Sequence, residues 1–239
     1  MTRIFSLTFG FLAAVWVGVG WCAEDTQDYP VPLMEGKPYI HVLHDGKSIR
    51  VERIQDPEFE LKGYYAKTAR KCPPFCIHPM SAAPGTNTIG EVELFEFMET
   101  QLREGTGVLV DARTPAWYKK GTIPGAVNYP FTQFAKPPED PEWDQLLPKL
   151  GATPAQEVGM IEKTMESMGL VEKKQQSGRW DFSTAKDLVI FCNGPACDQS
   201  PREIGSLLSV GYPAEKLFYY RGGMQMWELW GLTTVVPDE

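Results

Sequence analysis

Residues 187–205 read DLVIFCNGPACDQSPREIG, and this stretch decides the fold. Asp187 to Phe191 is a short apolar run rich in β-branched and aromatic residues and bounded by polar ones, which predicts a strand buried on both faces, as in a parallel sheet. Cys192 ends it. Ser200, Pro201 and Glu203 then form a helix start: a Ser N-cap, Pro at the first helical position and an acid that closes a capping box. Between strand and helix lies a short cradle, Cys192 to Gln199. Unpaired amides at a helix N-terminus stabilise an anion and lower a thiol pKa below its free value of about 8.5. The junction therefore predicts a thiolate at Cys192, against the plainer reading of a cysteine buried at a strand end.

Outward from this stretch, the chain alternates strands and helices. Thr88 and Glu91 predict a capping box, with Ile89, Val92, Phe95, Met98 and Leu102 on one helical face. Gly107 to Val110 reads as a buried strand ending at Asp111, Ala112 and Arg113, followed by the turn Ile123 to Ala126. Residues 135–183 resemble an insertion, with an amphipathic piece at Trp143 to Leu150. A helix is predicted after it, capped by Thr153 and Gln156, with Val158, Ile161, Met165 and Met168 inward. After the Cys192 strand come a helix ending near Gly211, a strand at Lys216 to Tyr220, the Gly222-Gly223 turn and a last helix around Met224 to Trp230. Short connections between such elements predict an α/β fold, a parallel sheet with helices on both faces.

The N-terminal part differs. Tyr39 to Ile54 alternates apolar and polar residues around Asp45-Gly46, which is a hairpin signal and opens a small β-rich module. Residues 24–85 form this module and residues 86–239 the α/β domain. Residues 1–23 carry Arg3 and an apolar run from Ile4 to Trp21, the pattern of an export signal that is either cleaved or retained as a membrane anchor. The folded part is thus expected to be periplasmic or otherwise exported. In an oxidising compartment the close pairs Cys72/Cys76 and Cys192/Cys197 read as two redox units.

With 239 residues, a net charge of -8 and 43% hydrophobic content, the chain can bury one ordinary core and a small second one. The acidic balance and the lack of a lysine-arginine cluster argue against nucleic acid as a partner.

Three segments together resemble the rhodanese (sulfurtransferase) superfamily: VLVDARTPAWYKKGTIPGAVNYP at 108–130, VIFCNGPACDQS at 189–200 and GYPAEKLFYYRGGMQMWELWGL at 211–232. The resemblance implies that Cys192 attacks the outer sulfur of thiosulfate or of a persulfide or polysulfide donor, holds it as a persulfide among the loop amides, and passes it to a thiol or other nucleophile. On this reading Asn193, Gly194, Ala196, Asp198, Gln199, Ser200 and Arg202 bind substrate, and Asp111 and Arg113 brace the loop. A small sulfur-containing donor and a thiol acceptor are the expected partners, with a periplasmic thiol reductant or sulfur-carrier protein beside them, and no cofactor is implied.

This chain departs from the family pattern. The loop is longer than usual. Gln199 stands where arginine is usual and Asp198 adds negative charge, which predicts weaker capture of a dianion and leaves Arg202 as the nearby cation. Thr122 replaces a frequent histidine. Cys197 could resolve a Cys192 persulfide, line the loop or form a resting disulfide, or act as the nucleophile itself, the last a poorer fit to its mid-loop place.

Other chemistries fit less well. A cysteine phosphatase on this fold needs an arginine where the chain has Asp198. A papain-like site needs a histidine, and His41, His44 and His78 all lie outside the matching segments. Cys72, Cys76 and His78 lack common zinc spacing, so a disulfide or two thiols facing the second domain is the expectation. His41 and His44 fall on opposite strand faces. A non-catalytic rhodanese-fold binding or sulfur-relay module with a Cys192/Cys197 dithiol-disulfide switch is the alternative from another class. The enzymatic reading demands that solvent reach the Cys192 sulfur and that its thiol not titrate like free cysteine.

Overall fold

The computed structural model describes residues 29–155, 168, 176–177 and 179–237. The leader at 1–23 and Gln156, Val158, Ile161 and Met165 of the predicted insertion helix lie outside the described residues.

Strands β1 (Tyr39–His44) and β2 (Lys47–Glu52) form the predicted antiparallel hairpin. Asp45 and Gly46 both have positive φ, 49° and 75°, as the two-residue primed turn requires. Alternation buries Ile40, Val42 and His44 while His41 faces out.

The sheet begins with β3 (Asn87–Ile89), followed by α1 (Glu91–Phe97), which runs on through a π-helical segment at Met98–Leu102. Here the expected helix start is corrected by two residues. Thr88 pairs in β3 with Tyr219, its hydroxyl donating to the Met80 carbonyl at 2.7 Å. Gly90 becomes the cap, and Glu93 accepts its amide at 3.0 Å. The buried face carries Leu94, Phe95, Phe97 and Met98, and Val92, expected on it, is exposed.

Then follow β4 (Gly107–Asp111), α2 (Pro115–Tyr118), β5 (Val127–Asn128), α3 (Phe131–Phe134) and α4 (Trp143–Leu146), the last extended by a 3-10 turn to Leu150. Thr153 does not cap a helix: Thr153–Pro154 is β6 and pairs with β8 (Trp180–Asp181), which also pairs with β7 (Gln176–Ser177). Met168, expected inward, is exposed. The chain closes with β9 (Asp187–Phe191), α5 (Gln199–Ser209), β10 (Leu217–Tyr220) and α6 (Gly223–Leu229).

The main sheet is parallel throughout, in the order β3-β10-β9-β4-β5. Alternation along β9 sends Leu188 and Ile190 to one core, with Trp143, Phe182, Ile204 and Leu207. Val189 and Phe191 go to the other, with Leu94, Phe95, Met224 and Trp227. Each such buried aliphatic or aromatic side chain contributes about 1.5–3 kcal/mol relative to exposure. The second core also takes Ile40, Val42, Val51 and Tyr65, so the hairpin shares it with the sheet. No helix among the described residues is long and apolar enough to cross a membrane.

Candidate active site

β9 delivers Cys192 to the carboxyl edge of the sheet, where open α/β sheets place their sites. Two glycines make the turn around it fit. Gly194 has φ +140° and sits where a Cβ would lie 2.9 Å from Gln225. Gly223 has φ +53° and leaves room for the Cys192 carbonyl, which a Cβ would approach to 2.3 Å. The carbonyls of Cys192 and Asn193 accept the Met224 and Gln225 amides at 3.0 and 3.1 Å, tying the cysteine loop to the start of α6.

The loop holds two sulfurs rather than one. Ser200 Oγ donates to Cys192 Sγ at 3.0 Å, and the thiol itself reaches the Cys197 carbonyl at 3.4 Å. Burial alone would raise the Cys192 thiol. Hydrogen bonds from the Cys197 thiol, the Ser200 hydroxyl and amide and the Gly194 amide outweigh it and bring the group down to about 7. The Cys197 thiol, which lies 3.7 Å from Gln199 Oε1, is pushed up by hydrogen bonding with Cys192, by burial and by the Cys192 charge beside it. The amides of Gln199 and Asn193 point at Cys197, while the amide of Cys197 is spent on the Gly194 carbonyl at 2.9 Å. The cradle expected from Gly194 to Ser200 is thus divided between the two thiols.

This division moves three features from where the sequence put them. Cys192 is only 1% exposed, so the solvent access that the enzymatic reading demands of its sulfur is not met in this arrangement, and Cys197 is the cysteine that lines the adjoining cleft. α5 begins at Gln199 with Asp198 as cap, one residue before Ser200, because the Ser200 hydroxyl serves the Cys192 sulfur instead of a helix amide. Glu203 closes no capping box. It is buried with neither carboxylate oxygen bonded among the described residues, and its pKa is raised well above the ordinary value by burial and by the charges of Asp111 and Cys192.

The remaining predicted residues fall into two groups. Asn193, Gly194, Ala196, Asp198 and Gln199 line the cleft with Cys197. Arg202 does not: it lies over the Phe131 ring at 4.6 Å and pairs loosely with Asp198 at 3.8 Å. Asp111 and Arg113 form a buried pair beneath the loop, with contacts of 2.6 and 2.9 Å, and Thr122 donates to Asp111 at 2.7 Å. Removing one partner of such a pair strands a charge, at about 3–5 kcal/mol.

Sequence reasoning missed the N-terminal contribution. Tyr65 donates to Asn193 Oδ1 at 2.7 Å and accepts from Arg113 Nη1 at 3.1 Å, joining the buried ion pair to the cysteine loop. His78 donates its amide to the Pro195 carbonyl at 2.9 Å. Between these anchors Cys72 and Cys76 form a disulfide, the first of the two options weighed for that pair. The Tyr64-Tyr65 doublet was the available signal, since a tyrosine whose ring is buried usually finds a hydrogen-bond partner for its hydroxyl.

A parallel α/β sheet that presents a cysteine at its carboxyl edge, in a loop whose amides of Gly194 and Ser200 reach its sulfur, defines the class. Residues 96–229 match the family described as the rhodanese-like domain, and the chain belongs to that family. Solved structures similar to it include a human single-domain sulfurtransferase, 21% identical over 60% of this chain and 96% of that one, with a TM-score of 0.34. A thiosulfate sulfurtransferase from Pseudomonas aeruginosa is 17% identical over 64% of this chain and 21% of that one, with a TM-score of 0.33. No curated protein matches.

Proposed function

We propose that the protein is a sulfurtransferase that carries a sulfane sulfur on Cys192, taking it from thiosulfate or a persulfide or polysulfide donor and passing it to a thiol. The observation that carries this reading is a strand-end cysteine whose buried sulfur accepts the Ser200 hydroxyl at 3.0 Å, its thiol brought down to about 7 by that hydroxyl, a neighbouring thiol and two backbone amides. Loading transfers one sulfur atom: the donor S–S bond breaks as a Cys192–S bond forms, and the remainder of the donor leaves with the electron pair of the broken bond.

Loading requires the Cys197 side chain to swing off Cys192. Cys197 lies in the loop and lines the cleft, and Cys192 is buried beside it. Once the persulfide forms, Cys197 is placed to attack it, giving a Cys192–Cys197 disulfide and hydrosulfide, which an external thiol reductant reopens. The Cys72–Cys76 disulfide supports an exported, oxidising location for the folded chain.

The test is to incubate reduced protein with thiosulfate or polysulfide and weigh the tryptic peptides. In Cys197→Ser the Cys192 peptide should gain one sulfur and in Cys192→Ser it should gain none, while the native protein shows either that gain or, after Cys197 has resolved the persulfide, the loss of two hydrogens of a Cys192–Cys197 disulfide. No gain in Cys197→Ser with any donor overturns the reading.

A further inference from the structure

The geometry points to Arg70 as the residue that recognises the anionic group of an organic sulfur donor or acceptor: the N-terminal strap, residues 64–79, builds the wall of the cleft over Cys197 and selects small organic thiols or persulfides bearing a carboxylate or sulfonate. This rests on the sulfurtransferase reading and names the substrate class of that same site.

The strap is fixed at both ends of the cysteine loop, through Tyr65 to Asn193 and through His78 to Pro195, and Arg221 secures it by donating to the carbonyls of His78 and Pro79 at 2.8 and 3.2 Å. The cleft it encloses with the loop measures about 230 Å³. That is several times the ~30 Å³ share of a water molecule and leaves room for an organic group beside the transferable sulfur. Tyr64, Phe75 and Trp117 supply apolar walls, the Tyr64 and Trp117 rings lying 4.5 Å apart.

Among the residues lining this cleft Arg70 is the only cation. Its guanidinium stacks over Tyr64 at 4.0 Å and near Phe75 at 5.2 Å, and one nitrogen donates to the Tyr64 carbonyl at 2.7 Å. Its Nε is buried and has no acceptor among the described residues, and no carboxylate there pairs with it. A buried guanidinium donor without an acceptor costs free energy comparable to a lost hydrogen bond, so the site favours a ligand that brings an anion. The planar, stacked fork suits a carboxylate or sulfonate held in a fixed direction, with the sulfur end of the ligand left toward Cys197. The other charged lining residue, Asp198, faces Arg202 and so repels an incoming anion less than a free carboxylate would.

For such a donor the step balances without another reagent: R–S–SH and the Cys192 thiolate give R–S⁻ and Cys192–S–SH, one S–S bond exchanged for another and the proton kept on the transferred sulfur.

Two measurements test the assignment. The first is binding, independent of sulfur transfer: calorimetry with (methylthio)acetate, which has the carboxylate and no transferable sulfur, against its methyl ester. The acid should bind the native protein more tightly than the ester, and Arg70→Ala should lose that preference by about tenfold or more, with Arg70→Lys recovering part of it. The second is the ratio of kcat/KM for the persulfide of mercaptoacetate to that of its methyl ester, which should fall by a similar factor in Arg70→Ala and recover partly in Arg70→Lys. Equal affinity for acid and ester in the native protein, or a preference that survives Arg70→Ala in a variant with native thermal unfolding, overturns the proposal. If acid binding depends on Arg70 while no donor loads Cys192, the anion site stands and the sulfurtransferase reading falls.

Discussion

Cys72/Cys76 and Cys192/Cys197 are two close cysteine pairs with opposite fates. The first, in an exposed proline-bearing strap, is a disulfide; the second, in a loop of similar span, is two thiols. Spacing lets either pair meet, so the surroundings decide. Around Cys192 the Ser200 hydroxyl and the amides of Gly194 and Ser200 stabilise a thiolate, and whatever stabilises the reduced form makes the corresponding disulfide easier to reduce. Residues outside each cysteine pair thus divide the labour, one bond fastening a wall and the other pair remaining free to react.

The largest effect that would break this contrast is on turnover. Cys192→Ser should lower sulfur transfer by roughly 10³-fold or more, as loss of a covalent nucleophile does. The double change Cys72→Ser with Cys76→Ser should cost far less, through looser placement of Arg70 and Phe75, measured as KM with little change in kcat. Equal losses would mean that both pairs react. Next comes the pH profile of loading. The thiolate is the attacking form, so the rate should rise with pH through about 7 and then level. Ser200→Ala removes a donor to the anion, and its profile should move to higher pH with roughly a tenfold loss at pH 7. An unmoved midpoint would show that Ser200 does not hold the charge.

The smallest expected effect is on stability. Glu203 has a folded-state value raised above its ordinary 4.5, so its contribution is present at acid pH and is lost as pH rises from about 4.5 toward the folded value. The native protein should lose at most about 1.4 kcal/mol per pH unit across that window from this group. Glu203→Gln, followed by denaturant unfolding at several pH values, should flatten that slope. A slope that persists would place the proton-linked group elsewhere.

Much of this was legible in the sequence. The β9 run and the strand ending at Asp111 are short continuous apolar runs and Asp45-Gly46 carries strong turn chemistry, and the family segments added the position of the expected nucleophile. What misled was local capping. Ser-x-x-Glu at 200–203 and Thr-x-x-Glu at 88–91 are reasonable helix starts in isolation, but Ser200 is drawn to a sulfur, Glu203 into the interior and Thr88 into the sheet edge. Tertiary partners outbid a contribution of about 1 kcal/mol per cap. Nor could periodicity find Tyr65 and Arg70, because the strap that carries them follows no regular period and meets the cysteine loop 128 positions away, where Tyr65 bonds Asn193.

The hairpin's place in the sheet's own interior has a consequence for anyone dividing this molecule. Glu52 donates its amide to Thr233 Oγ1, and the Ile54 amide bonds the Gly231 carbonyl, so the beginning of the described chain is zipped to its end. A fragment trimmed to the recognisable homologous stretch would open a greasy wound where Ile40, Val42 and Val51 had lain. The unit that inheritance outlines and the unit that can stand alone are therefore different lengths of polypeptide.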